Sequence, residues 1–203
     1  MTMKQLRFID LFAGLGGFHI ALESMGHKCV FSCEIDSDLA ALYERNFGIR
    51  PHSDIRTLDI SSVPRHDVLC AGFPCQPFSK AGEQQGFDCP QSGDLIDYVI
   101  QILNVHRPEY FIIENVPNLV RHRQGQTWRD IENGLTAAGY DIRTRILSPH
   151  ELGVPQIRKR AFIVGRRGGL DGFSWPDLSN EGVLSLDSVL DHNPSDAKLL
   201  PPS

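Results

Sequence analysis

Short apolar runs alternate with amphipathic segments along most of the chain. The apolar runs have the length and composition of buried strands, and the segments between them have the roughly 10–15-residue length typical of crossover helices. Strands are predicted at residues 6–12, 28–33, 67–72, 109–115, 140–147 and 160–165, and helices at 17–25, 38–46, 94–106 and 127–138. This order predicts an α/β fold with a doubly wound, mainly parallel sheet covered by helices on both faces.

Ligands of such a sheet bind beyond the carboxyl ends of its strands, near the point where the strand order reverses. We expect the functional residues at this rim, which the prediction builds from residues 14–18, Glu34, Asp54, 73–79 and 114–116. Residues 1–167 are predicted to form the catalytic, cofactor-binding domain. Residues 168–203, rich in Gly, Pro, Ser and Asp, are predicted to be a loose extension.

Composition and charge exclude several classes of protein. The five cysteines include no Cys-x-x-Cys pair, so neither a disulfide framework nor a zinc site is expected, and no metal site is predicted. No apolar run reaches the roughly 18 residues of a membrane span, and the first residues lack the apolar core of a signal peptide, so we expect a cytoplasmic protein without a membrane partner. The net charge is −5, yet residues 101–170 contain 11 Lys and Arg against 6 Asp and Glu. That excess is typical either of a local phosphate-binding patch or of a solvated surface.

A glycine-rich turn between the first strand and the first helix predicts a nucleoside cofactor. Gly14, Gly16 and Gly17 allow close approach of a ligand, and Glu34 follows Gly14 by twenty residues, where an acid binds both ribose hydroxyls. Asp10, at the strand end, would repel a pyrophosphate but suits a cationic amine or sulfonium, which favours S-adenosylmethionine over NAD. Asp54 is a candidate for the adenine amino group, or alternatively a loop cap.

Cys75 lies between Pro74 and Pro77, directly after a predicted strand. The two prolines fix φ and remove backbone donors, which predicts a stiff loop that presents the thiol. Cysteine is the most nucleophilic side chain at neutral pH. A thiolate beside a methyl donor suggests addition to an electron-poor ring, followed by methylation of that ring.

Six motifs occur in an order that resembles the cytosine-C5 DNA methyltransferase family, over about residues 6–192. They are DLFAGLGG (10–17), EID (34–36), SDI (53–55), GFPCQPFS (72–79), ENV (114–116) and QIRKRAFIVG (156–165). The resemblance implies a Rossmann-like fold that binds S-adenosylmethionine and acts on double-stranded DNA, as in restriction–modification systems.

The resemblance also implies roles for individual residues. Cys75 would attack carbon 6 of a cytosine flipped out of the duplex, Glu114 would bind nitrogen 3 and the amino group, and Arg160 and Arg158 would orient Glu114 or contact the base. The implied cofactor residues are Asp10, Phe12, Gly14, Gly16, Gly17, Phe18, Glu34, Ile35, Asp54, Ile55, Gly72, Pro74 and Leu95. The implied nucleic-acid contacts are Gln76, Ser79, Arg121, Arg123, Gln156 and Arg158, with plain solvation as the alternative for Arg121 and Arg123.

The sequence departs from the family pattern after residues 185–193, where a target-recognition region and two further motifs are expected. We therefore expect the catalytic subunit of a split methyltransferase, with a second polypeptide supplying target recognition. Two alternatives stay open: a non-catalytic module that binds nucleic acid or cofactor, and an RNA (tRNA) cytosine methyltransferase. The family's Arg-Glu-Arg is Arg158-Lys159-Arg160 here, which keeps both arginines. The sequence does not predict the DNA target.

Overall fold

The computed structural model describes residues 4–74, 93–178 and 185–191. A six-stranded sheet in the order β2-β1-β3-β4-β6-β5 forms its centre. The strands are β1 (Arg7–Leu11), β2 (Lys28–Cys33), β3 (Val68–Ala71), β4 (Tyr110–Asn115), β5 (Tyr140–Leu147) and β6 (Arg160–Arg167). The α-helices of the described residues are α1 (Gly17–Ser24), α2 (Ser37–Phe47), α3 (Gly93–His106) and α4 (Gln126–Ala137).

The strand directions confirm the predicted mainly parallel sheet. β1 pairs in parallel with β2 and with β3, and β3 pairs in parallel with β4. β6 is antiparallel to both of its neighbours, β4 and β5. The chain leaves β1 toward β2 and then crosses back to β3, so the strand order reverses between β1 and β3. Ligand sites of doubly wound sheets form at such a point.

Both faces of the β1–β3 region are covered, which explains why these strands are nearly continuous apolar runs. Ile9 and Leu11 belong to the main core, together with apolar residues of α3 and α4. Phe8 points to the opposite face, where it packs with Leu22 of α1 and with Cys70. Cys29, Cys33 and Cys70, which lie in these strands, are buried free thiols.

Helix boundaries agree with the predictions, with one difference at α4. Asp36 caps α2, accepting hydrogen bonds from the N–H groups of Asp38 and Leu39 at 2.9 and 3.0 Å. Thr127, at which this helix was predicted to begin, lies one residue inside it. Its hydroxyl instead bonds His122 Nδ1 at 2.7 Å, because a left-handed glycine, Gly125, already occupies the cap position.

The residues after β6 contact the edge of the sheet. Arg145 Nη1 on β5 donates a hydrogen bond to the carbonyl of Pro176 at 3.2 Å. The domain boundary between residues 167 and 168 stays a prediction. No helix within the described ranges is both long and apolar enough to cross a membrane.

Candidate active site

The glycine turn after β1 is fixed by the carboxylate of Glu34. Glu34 Oε2 accepts the N–H of Gly14 at 2.7 Å, and Oε1 accepts the N–H of Asp36 at 2.8 Å. Gly14 and Gly16 have φ of 53° and 83°, a left-handed conformation that glycine adopts without steric cost. At Gly16 a Cβ would also overlap the Phe47 ring of α2. The glycine spacing therefore meets two demands, turn geometry and close helix packing.

A cavity of about 440 Å³ opens at the carboxyl ends of β1, β2 and β3. Its walls are mostly apolar and contain two carboxylates, Glu34 and Asp54. This combination fits a nucleoside, because an adenine needs apolar walls and a ribose diol needs an acceptor. The lining contains the predicted cofactor residues Phe12, Glu34, Ile35, Asp54, Ile55, Gly72, Pro74 and Leu95, and also Cys33, Leu39, Ser53 and Arg56, which the sequence did not single out.

Asp54 is held beside Glu34 by a short extension of β2. His52 N donates to Ser32 O, and Glu34 N donates to His52 O, both at 2.9 Å. Asp54 caps the following turn through the N–H of Arg56 at 2.9 Å, and the Arg56 side chain lies 2.8 Å from its Oδ2. The Arg56 side chain lowers the pKa of Asp54, which keeps the carboxylate ionised as an acceptor. Both interpretations of Asp54, a cap and a cavity residue, therefore describe the same geometry.

The Asp10 side chain is buried beside α1, and its predicted place at the methionine end of the cofactor stays a prediction. Its side chain is only 1% exposed and is not part of the cavity lining; it meets the N-terminus of α1 instead. The hydroxyl of Tyr43 lies 3.4 Å from Asp10 Oδ2 and 2.6 Å from His19 Nδ1, and the backbone N–H of His19 donates to Asp10. The Phe18 ring lies beside Gly72, which lines the cavity, and its cofactor contact likewise stays a prediction.

The buried position of Asp10 gives a pH prediction. Burial, assisted by the Glu34 charge, raises the pKa of Asp10 from 3.8 to about 7, although bonds from Tyr43 and the His19 amide oppose the shift. The native state thus keeps a proton that the unfolded chain releases, so this contribution to stability is present below about pH 4 and is lost as pH rises to about 7.

We expect the stability of Asp10→Asn, relative to the parent chain, to increase between about pH 4 and 7, because the variant lacks this loss. Urea unfolding at a series of pH values measures the difference. A difference that is constant over this interval would contradict the prediction.

The ends of β3 and β4 are tied together by Asn115. This side chain is fully buried; its Nδ2 donates to the carbonyl of Phe73 at 3.2 Å, and its Oδ1 accepts the N–H of Val116 at 2.9 Å. The ENV segment is therefore bonded to the backbone two residues before Cys75. No role was predicted for Asn115, although its place within the ENV motif was a signal.

Glu114 and Arg160 form an ion pair at the rim. Arg160 Nε lies 2.7 Å from Glu114 Oε1, and the side chains are 22% and 28% exposed, respectively. The other oxygen, Oε2, lies toward Gly72, at 3.5 Å from the position that a Cβ would occupy there. Gly72 itself lines the cavity. Glu114 thus stands next to the predicted cofactor position with one oxygen fixed by a cation.

A second cleft, of about 330 Å³, begins at this ion pair. It lies between β4, β6 and the connection from β5 to β6, and its walls are largely apolar, with Leu152 44% and Val154 47% exposed. Arg158 also lines the second cleft, and both Arg158 and Gln156 are exposed. Arg158 therefore lies on the same side of the rim as Glu114, and Gln156 is an exposed residue of the connection two positions before it.

Arg123 lies away from this group. It lines a groove between α3 and α4 whose walls also contain the carboxylates of Asp97 and Asp130. Arg123 and Gln124 have φ of 48° and 55°, followed by Gly125 at 82°, a left-handed turn that costs roughly 1–2 kcal/mol at each non-glycine position. Arg121, two residues earlier, is exposed. For both arginines, phosphate contact stays a prediction.

Cys75, Gln76 and Ser79 lie outside the described residues. The described residues that lead to them are ordered by packing: Phe73 is 2% exposed and meets Phe12 edge to face, with ring centres 6.3 Å apart. Within residues 4–74, 93–178 and 185–191, no three His, Cys, Asp or Glu side chains are grouped as metal ligands.

Comparison with known protein families shows the family to which the chain belongs. The model of the C-5 cytosine-specific DNA methylase family matches residues 6–192. The chain belongs to the cytosine-C5 DNA methyltransferase family. It is 48% identical over 165 residues to the type II methyltransferase M.DsaV of Dactylococcopsis salina, covering 81% of this chain and 47% of that protein. It is 39% identical over 200 residues to M.HhaI of Haemophilus parahaemolyticus, covering 95% of this chain and 61% of that protein.

Solved structures agree with this family and its Rossmann-like fold. A DNMT2 mutant from Spodoptera frugiperda superimposes with a TM-score of 0.72 at 25% identity, covering 91% of this chain and 59% of that one. A methyltransferase of Entamoeba histolytica gives the same TM-score at 21% identity, which supports the fold alone. The chain spans about half to three fifths of the length of these relatives.

Proposed function

We propose that this chain is the catalytic part of a DNA (cytosine-5)-methyltransferase. The observation that carries the proposal is the Glu114–Arg160 pair, whose carboxylate lies between the second cleft and a nucleoside-shaped cavity. A carboxyl fixed there can bind nitrogen 3 and the amino group of a cytosine while a methyl donor occupies the neighbouring cavity. S-adenosylmethionine would supply the methyl group, with Glu34 holding its ribose and Ile35 and Ile55 flanking its adenine.

The remaining chemistry belongs to residues of this chain. Cys75 adds as a thiolate to carbon 6, which raises electron density at carbon 5 and at nitrogen 3. Glu114 stabilises the ring through nitrogen 3, an interaction that is stronger during addition than in the unreacted base. After carbon 5 is methylated it loses its proton to a base, and the thiolate leaves carbon 6. A cytosine reaches this position only if it is flipped out of the duplex, at a cost of a few kcal/mol.

We further propose that a second polypeptide supplies target recognition. The support comes from the relatives: about half of M.DsaV and about two fifths of M.HhaI lie outside the matched region. A duplex also needs protein on a second side before its base edges are read. The chain alone should accordingly bind S-adenosylmethionine weakly and transfer little methyl.

Methyl transfer from labelled S-adenosylmethionine to mixed-sequence duplex DNA tests the proposal. The preparation is the chain with whatever co-purifies from its native cells, and the score is 5-methylcytosine. We expect label with the parent chain and with Cys89→Ser, and none with Cys75→Ser. Duplex containing 5-fluorocytosine should give a denaturant-resistant adduct that depends on Cys75, because fluorine at carbon 5 cannot leave as a proton does.

Each alternative predicts a different result. Label in tRNA but not in duplex DNA would show that the substrate is RNA rather than DNA. A DNA effect that survives Cys75→Ser would indicate a non-catalytic binding module. Robust turnover by the isolated chain would overturn the need for a second polypeptide while leaving the chemistry intact.

A further inference from the structure

The connection between β5 and β6 is organised around one buried hydroxyl, that of Ser148. This residue is 2% exposed and begins the single 3₁₀ turn Pro149–Leu152. The Glu151 carboxylate accepts the Ser148 N–H at 2.7 Å, and His150 Nδ1 lies 2.8 Å from Ser148 Oγ. Two non-neighbouring parts of the connection are also joined, by the His150 N–H donating to Gln156 O at 3.1 Å.

Ser148 Oγ also accepts a bond from the other side of the connection. The backbone N–H of Arg158 donates to it at 3.1 Å. The regular ladder between the strands ends at the pair Leu147 and Arg160. Pro149 has no N–H with which to continue pairing, so the serine side chain provides the next link between the two strands.

From this link a continuous set of contacts reaches the active-site carboxylate. Arg158 is followed by Lys159, whose carbonyl accepts a bond from Arg160 Nη1 at 2.9 Å. The same guanidinium places its Nε 2.7 Å from Glu114 Oε1. On the sheet, Glu114 is paired with Phe162, so Arg160 reaches it diagonally from two residues along β6. A diagonal contact depends on the direction in which the arginine leaves the strand.

We propose that Ser148 is a positioning residue for the Glu114–Arg160 pair. Its hydroxyl fixes the Arg158 amide, the fixed backbone orients the Lys159 carbonyl, and that carbonyl holds the guanidinium against Glu114. Although Ser148 lines the second cleft, it is 2% exposed, so we assign its effect to these bonds rather than to direct contact with a ligand. It lies in none of the six motifs.

The side-chain Nε–Hε resonance of Arg160, observed by NMR in the full chain, tests this directly. Bonded to a carboxylate, it should be shifted downfield and exchange slowly in the parent chain. In Ser148→Ala we expect the resonance to move toward that of an exposed arginine, with exchange about tenfold faster. Arg56 is the internal control, because its Nε lies 3.0 Å from Asp54 Oδ1 in the other cavity, and its resonance should not move.

Two further variants keep the test decisive. Ser148→Thr retains the hydroxyl and should restore the Arg160 resonance. If Ser148→Ala unfolds, the Arg56 signal collapses as well, and Ser148→Cys is used in its place. Because sulfur accepts hydrogen bonds more weakly than oxygen, we expect a smaller shift of the Arg160 resonance in the same direction. The proposal would be overturned if the Arg160 resonance stayed unmoved in Ser148→Ala or, should that variant unfold, in Ser148→Cys.

An activity measurement extends the test and rests on the proposed function. In a preparation that transfers methyl groups, Ser148→Ala should lower kcat about 10- to 100-fold, because small displacements of catalytic groups have effects of this size. The affinity for S-adenosylmethionine should stay unchanged. Since the NMR result needs no turnover, failure of the proposed function and failure of the positioning role give different outcomes.

Discussion

Replacing Glu114 by glutamine is expected to reduce methyl transfer by about 10²- to 10⁴-fold, the range typical of a lost acid–base group. An amide cannot carry the negative charge that the Arg160 guanidinium now pairs at 2.7 Å, so the guanidinium is released. It also cannot share a proton with nitrogen 3 as the thiolate adds. The loss should therefore appear in kcat, in any preparation of the chain that methylates DNA.

A matched control lies directly before the same strand. Glu109 and Arg166 form a second carboxylate–guanidinium pair, at 3.1 Å, near the other end of β4. Glu109→Gln makes the same chemical change in an exposed pair, where the expected effect on stability is small. It should leave methyl transfer intact. A Glu114→Gln variant that retains the parent rate, or that loses cofactor binding to the same extent as turnover, would contradict the assigned role.

The fold was predictable because the patterns of apolar residues were strong and agreed with the burial of each element in the folded protein. Each predicted strand is present, since buried parallel strands require continuous apolar runs such as residues 6–12 and 67–72. The spacing from Gly14 to Glu34 predicted that these two residues lie close together. It places Glu34 at the end of β2, the parallel strand next to β1. The observed bond between them, at 2.7 Å, is the geometry behind that spacing.

The parts that sequence reasoning missed depend on side-chain direction and on irregular backbone. Asp10 is in a strand buried on both faces, so the alternation that would show which way it points is absent. Arg123 follows Arg121 by two residues, but its backbone belongs to a left-handed turn, and it lines a groove that also contains Asp97 and Asp130. Local charge does not encode that turn.

The bonds that organise the site are also non-local. Asn115 contacts Phe73, 42 residues earlier, and Ser148 contacts Arg158 across an irregular connection. Neither pairing follows from a periodic pattern. The motif residues were therefore predictable as a set, while the residues that hold them in place became visible only in three dimensions.

Glu34→Gln is expected to lower the affinity for S-adenosylmethionine by about 10- to 100-fold, measured by calorimetric titration. The carboxylate already accepts two backbone N–H groups, from Gly14 at 2.7 Å and Asp36 at 2.8 Å, with its side chain largely buried. An amide offers a single acceptor oxygen, so its NH₂ would face one of these donors, which costs about 1–3 kcal/mol. Each 1.4 kcal/mol of lost binding is about tenfold in affinity.

The same substitution also weakens the cofactor contact itself. The lone pairs of Glu34 that remain are those available to a ribose diol, and a neutral amide binds hydroxyls less strongly than a carboxylate does. Glu44→Gln, on the exposed surface of α2, is the control for the change of charge and should bind as the parent chain does. Unchanged affinity in Glu34→Gln would mean that the cavity beside the glycine turn is not the cofactor site. Lost affinity with a normal Glu44 variant would place the ribose at the carboxylate that also sets the turn, so that one side chain both shapes the site and binds its ligand.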